Sequence, residues 1–197
     1  MISNFFQANT YLIDEKVNFF KFANAYKIYN ENGEQLGQVE QKLSAGAKIL
    51  RLLLNKAMLP FKFDIVNANG SVEASITRGW TFWMTKINIL DHSGQLVGKI
   101  RQKFAFLKAT FIIETADGQE IARIVGDWKA WNFSITDTTG TEIGTISKKW
   151  NGVMKEVFTT ADKYIVDLIP AYNNSASQKM AVLTAAITID MVLKERK

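Results

Sequence analysis

Five times in this chain an alternating apolar stretch runs into a short polar turn, the turn closes on glycine, and a second alternating stretch leaves it. The copies are Ile28-Tyr29-Asn30-Glu31-Asn32-Gly33, Phe63-Asp64-Ile65-Val66-Asn67-Ala68-Asn69-Gly70, Ile87-Asn88-Ile89-Leu90-Asp91-His92-Ser93-Gly94, Phe111-Ile112-Ile113-Glu114-Thr115-Ala116-Asp117-Gly118 and Phe133-Ser134-Ile135-Thr136-Asp137-Thr138-Thr139-Gly140. Glycine reaches the positive φ that such turns require, and the short polar side chains hydrogen-bond the local backbone. A flanking period of two marks half-buried strands. Five successive hairpins therefore predict an antiparallel, mainly β sheet. Repeats can also signal a solenoid or propeller, but these copies vary in length and the chain ends in a different kind of element.

The stretches between them extend the pattern. Val72–Ile76, Val97–Phe106, Ile121–Val125 and Ile143–Ser147 alternate as strands do. Two helices are expected. One is amphipathic, near 44–58: Ser44 opens a run through Ile49, Leu50, Leu52, Leu53, Leu54 and Met58 that stops before Pro60, with Lys48, Arg51 and Lys56 on a polar edge. The other covers Ser177–Lys194, with Ser175 or Ser177 as N-cap and Lys194, Arg196 and Lys197 at the negative end of the helix dipole. With 197 residues, two prolines and no linker-like stretch, the chain reads as one domain over 1–197.

The second helix poses the main structural question. From Met180 to Leu193 it is apolar, broken by Thr184, Thr188 and Asp190. A membrane span needs about 20 apolar residues to cross the hydrocarbon, and Lys179 and Asp190 bracket a shorter run. Ala181, Ala185 and Ala186 keep the helix thin, while Val182, Leu183, Ile187, Ile189, Met191 and Val192 surround it. A helix apolar on every side must be buried on every side. A closed barrel threaded by the helix meets that demand and leaves the hairpins no open sheet edge.

The block Ile146-Ser147-Lys148-Lys149-Trp150, Gly152, Glu156-Val157-Phe158-Thr159, Ala161-Asp162 and Tyr164, followed by the apolar helix, resembles the C-terminal part of the phospholipid scramblase family. That family shares its fold with tubby and the plant LURP-one-related proteins. The likeness extends to Tyr26-Lys27-Ile28, Pro60-Phe61, the hairpins and Thr188-Ile189-Asp190 near the end of the helix. It implies a closed antiparallel tubby-like β-barrel of about a dozen strands wrapped around a hydrophobic C-terminal helix. It also implies phospholipid as the partner and calcium-dependent transbilayer lipid movement as the activity.

Several parts of that family pattern are missing. The acidic calcium loop would fall on Thr160–Ala171, where only Asp162 and Asp167 remain, beside Lys163. Calcium takes six to eight oxygens, several of them carboxylate, so no metal is expected to bind there. The chain has no cysteine, which removes palmitoylation, disulfides and thiolate metal sites, and it lacks the family's proline-rich region. Met1–Phe6 shows no basic stretch leading into an apolar run, so no secretory leader is expected.

What remains for lipid contact is charge. A net +5 favours anionic surfaces generally. Lys99, Arg101 and Lys103 alternate along one predicted strand and so share a face. Lys148, Lys149 and Lys155 gather near Trp150, a residue suited to the membrane interface. These six cations are the candidate lipid-headgroup residues; the competing reading makes them the solvated outer faces of strands. Trp80, Trp83, Trp128 and Trp131 could line a groove or stack bases, but barrel packing is the commoner use. No dense basic patch supports nucleic-acid binding.

Catalysis finds no support: His92 is the sole histidine and sits in a turn, and no phosphate loop, zinc spacing or dinucleotide fingerprint occurs. The sequence thus predicts a non-enzymatic, cofactor-free barrel, cytoplasmic and peripheral to the membrane, bound to anionic phospholipid. The alternative is a soluble barrel that binds a protein or small ligand without lipid activity.

Overall fold

A computed structural model describes residues 4–16, 25–41, 59–80, 86–104, 108–127, 129–148, 163–170, 172 and 175–194. The helix expected over 44–58 lies outside these residues, as do Trp83, Trp128, Lys149, Trp150, Lys155 and Asp162. The described strands are β1 (Thr10–Lys16), β2 (Ala25–Tyr29), β3 (Gln35–Gln41), β4 (Phe61–Asn67), β5 (Val72–Arg78), β6 (Lys86–Asp91), β7 (Leu96–Phe104), β8 (Ala109–Thr115), β9 (Glu120–Asp127), β10 (Asn132–Asp137), β11 (Glu142–Ser147) and β12 (Lys163–Leu168). Each pairs antiparallel with its sequence neighbour. The ring closes where β1 meets β12, with Thr10 opposite Asp167 and Asp14 opposite Lys163. The C-terminal helix α1 spans Ala176–Lys194.

The five glycine turns all form hairpins, and their glycines lie at φ of 78 to 94°. Each turn builds the same bond pattern. In the first, Gly33 N donates to Asn30 O at 3.0 Å, while Asn30 Oδ1 accepts from Asn32 N at 3.0 Å and Glu34 N at 2.9 Å. Asn67, Asp91 and Asp137 repeat it, and Thr115 Oγ1 takes the role for Gln119 N. A register shift accompanies every turn, between Ile28 and Tyr29 in the first hairpin and at the matching place in the other four. That pairing of turn and bulge is the geometry of a type I turn followed by a glycine in the left-handed region.

An up-and-down barrel has two distinct ends. The tight hairpins β2–β3, β4–β5, β6–β7, β8–β9 and β10–β11 share one of them. The remaining connections, the longest among them, leave and re-enter at the other.

Helix α1 enters at the hairpin end, because β12 finishes there, and runs down the interior. From Ala181 to Val192 no side chain is more than 3% exposed apart from Asp190 at 4%. The helix meets β5, β6, β7, β8, β9 and β12, so strands surround it. Ala176–Leu193 has the length and mean hydropathy of a membrane span, 1.3, yet most of it is buried in protein. Each buried Leu, Ile, Val or Met contributes about 1.5–3 kcal/mol relative to exposure, and strand side chains supply that burial here.

The helix starts one residue before its expected position. Ser175 Oγ accepts from Gln178 N at 3.4 Å and Gln178 Oε1 from Ser175 N at 3.3 Å, a reciprocal cap in which Ser175, not Ser177, is the N-cap. Buried tyrosines pin the rest. Tyr26 Oη donates to Asp190 Oδ2 at 2.9 Å and Tyr164 Oη to Ile187 O, while Tyr11 Oη ties the segment before β1 by donating to Phe5 O at 2.8 Å.

Candidate functional site: the cationic outer wall

Alternation along β7 sorts its residues by face. Gly98 and Ile100 point inward and are buried, while Lys99, Arg101 and Lys103 point outward, as their spacing predicted. Their surroundings differ. Lys99 Nζ donates to Ala116 O at 2.6 Å, in the neighbouring hairpin. Arg101 binds Glu114 of β8, with Nε at 2.9 Å and an Nη at 2.7 Å from Oε1. Lys103 is exposed.

Register brings in cations that spacing along the sequence did not reveal. Lys86 of β6 lies directly opposite Arg101, and Lys108 stands just before β8, whose Ala109 pairs with Phe104 of β7. Both are exposed, and with Lys103 they have no ion-pair or hydrogen-bond partner among the described residues. No sequence motif marks Lys86. Only the pairing of β6 with β7 shows that it belongs to the same patch.

Lys148 is placed differently. Its Nζ lies 4.8 Å from the centre of the Trp131 ring, which packs on Tyr164 at 5.4 Å and Phe133 at 5.9 Å. Trp131 therefore serves barrel packing. Trp80 does not: it is 55% exposed, in the connection after β5.

The calcium candidate Asp167 is not in a loop. Lys163–Leu168 is strand β12, which closes the barrel, and Asp167 Oδ1 accepts from Thr10 Oγ1 at 2.6 Å across that seam. Among the described residues no group of three His, Asp or Glu side chains is placed to hold a metal. His92 sits exposed in its turn. A shallow depression of about 220 Å³ between β3 and β4 is lined by Gln35, Gln38, Glu40 and Asn67, with no cation to receive a phosphate.

The turn carboxylates have a local job. Burial, the largest single influence, pushes the Asp91 carboxyl up, but hydrogen bonds from Ser93 Oγ, Gln95 N and Ser93 N together outweigh it and hold the group below the usual range. Hydrogen bonds from Thr115 and Thr139 do the same for Asp117 and Asp137.

A closed, twelve-stranded up-and-down barrel filled by its own C-terminal helix defines the tubby-like class of fold. A protein of Arabidopsis thaliana solved by X-ray crystallography shares that architecture: TM-score 0.58 and 8% identity, over 98% of this chain and 97% of the other. The sequence matches the Scramblase family over residues 9–196, and the chain belongs to that family. It is 26% identical to a phospholipid scramblase family protein of Schizosaccharomyces pombe, across 90% of this chain and 51% of the relative. It is 20% identical to altered inheritance rate of mitochondria protein 25 of Saccharomyces cerevisiae, across 92% and 69%. With human phospholipid scramblase family member 5 it shares 28% identity across 57% and 44%. The chain thus spans about half the length of the fission-yeast relative.

Proposed function

We propose that this barrel binds anionic phospholipid surfaces as a peripheral membrane protein, on the cytoplasmic face where such lipids concentrate. The observation that carries this reading is the outer wall of β6 to β8, where Lys86, Lys103 and Lys108 are exposed and unpaired among the described residues. A Lys or Arg near an anionic leaflet contributes about 1 kcal/mol. Family membership supports phospholipid over other polyanions. Of the four described cations among those singled out from sequence, Lys99, Arg101, Lys103 and Lys148, Lys103 is best placed for headgroups. Lys99 and Arg101 have protein partners, and Lys148 lies against Trp131.

Transbilayer lipid movement, the activity in the relatives' names, belongs to the same proposal in a restricted form. Helix α1 fills the barrel, so a lipid path through the lumen is closed and any movement follows the outer surface.

Vesicle flotation tests the reading. Purified protein is expected to float with phosphatidylserine or phosphoinositide vesicles and to stay behind with pure phosphatidylcholine. Lys86→Glu combined with Lys103→Glu is expected to weaken flotation by at least tenfold, at about 1 kcal/mol per lost cation before added repulsion. Flotation indifferent to anionic lipid sinks the proposal and leaves a soluble module for a protein or small ligand. A fluorescent-lipid assay with and without calcium addresses movement separately.

A further inference from the structure

Charge on the described surface is biased by barrel end, with half-buried Asp14, Glu40 and Asp127 the carboxylates that lie away from the hairpin turns. The five turns 30–34, 67–71, 91–95, 115–119 and 137–141 contain Glu31, Glu34, Asp91, Asp117 and Asp137 and no Lys or Arg. Every carboxylate described as exposed (Glu31, Glu34, Asp117, Glu142 and Asp167) lies at that hairpin end. The exposed cations lie at the opposite end: Lys62, whose Nζ lies 3.2 Å from Oδ1 of the buried Asp64, Lys86, Lys103, Lys108 and Lys129. The exception is Arg123, midway along β9 and paired with Glu120. Trp80 shares the cationic end.

We propose, on the basis of the lipid-surface reading above, that the barrel docks end-on: its long-connection end faces an anionic bilayer and its five hairpin turns face water. A net charge alone attracts a protein without orienting it, whereas charge separated along an axis does both. Strands of five to nine residues set the two ends on the order of 20 Å apart after tilt. That is about twice the Debye length at physiological salt, so the acidic turns are screened from a bilayer under the cationic end. Trp80 stands where an indole reaches the interfacial zone. The cations also circle the barrel. Lys62 is on β4 and Lys129 precedes β10, six strands apart in a ring of twelve and so on opposite sides. Side-on contact through β6 to β8 cannot engage both.

The absence of cysteine makes a direct test simple, because single reporters can be placed at will. Trp80→Cys, Asn69→Cys and Thr139→Cys would each carry an environment-sensitive fluorophore. With phosphatidylserine vesicles, the label at 80 is expected to shift blue and resist an aqueous quencher, while the labels at 69 and 139 stay unchanged. In parallel, Lys62→Ala with Lys129→Ala, accepted only if its thermal melt stays cooperative because Lys62 pairs with the buried Asp64, is expected to lower partition about 25-fold, at about fivefold per cation. Amide replacements at Glu31, Glu34 and Glu142 are expected to change it less than threefold, consistent with screening over about 10 Å. If the wild-type protein does not float with anionic vesicles, the lipid reading itself fails. If it floats but the turn labels become protected, or the Lys62 and Lys129 changes are silent, lipid binding stands and end-on docking is overturned.

Discussion

A single glycine shows how the hairpins are specified. Gly94 holds φ of 84°, with nothing within 4 Å of where a Cβ would stand, so Gly94→Ala meets backbone strain without a steric clash. Its expected cost is about 1–2 kcal/mol, readable as a lowered urea midpoint. The residue that opens each turn is specified by its acceptor oxygen, and Asn and Asp serve alike at 30, 67, 91 and 137. Asp91→Asn and Asp137→Asn are therefore expected to keep near-neutral stability close to wild type. They should differ in acid. Because the folded protein holds these carboxyls below their unfolded pKa, their stabilisation is present above an unfolded value near 3.9 and is lost as pH falls through the folded values. Urea midpoints measured from pH 6 down to pH 2 should fall less steeply in the double variant. Equal slopes would show that the turns do not contribute to acid sensitivity.

Helix α1 passes the sheet closely, and small residues permit it. A Cβ on Gly98 would stand 3.2 Å from Ala181 Cβ and 2.9 Å from Glu114 O. Gly98→Ala is thus expected to cost about 1–3 kcal/mol by overpacking, and Ala181→Gly to recover part of it; a thermal double-mutant cycle reads the coupling. Tyr26→Phe removes a donor to the buried Asp190 at the far end of the helix and should cost about 1–3 kcal/mol, with a smaller cost in an Asp190→Asn background. The sheet and the helix were legible in sequence because their signals are local: turn chemistry, period-two alternation, and an apolar run that wraps every face of a helix. Strands β1 and β12 were not, because neither flanks a glycine turn and their pairing joins residues such as Thr10 and Asp167 from opposite ends of the chain. The wall was only half legible. Alternation gave the outward face of Lys99, Arg101 and Lys103, but the partnership of Arg101 with Glu114 and the proximity of Lys86 depend on the register of β6, β7 and β8.

For the whole molecule, closure and charge make one connected argument. Because the barrel buries its membrane-length helix, no helix of that kind among the described residues is offered to lipid, and the proposed attachment rests mainly on cations at the surface. Such attachment has a distinct dependence on salt. At about 0.1 M ionic strength charges act over roughly 10 Å, and near 1 M over about 3 Å. A peripheral barrel held by exposed lysines should therefore leave phosphatidylserine vesicles between these concentrations, while its circular dichroism and melting temperature change little. A protein whose helix had left the barrel for the bilayer would behave in the opposite way. It would stay on the vesicles at 1 M salt and would lose the cooperative melting that the buried helix confers. Co-sedimentation across a salt series, read beside thermal melts of the vesicle-bound protein, separates the two. Release by salt with an intact melt is the expected result, and salt-resistant binding with a broadened melt would mean that the helix itself had entered the membrane.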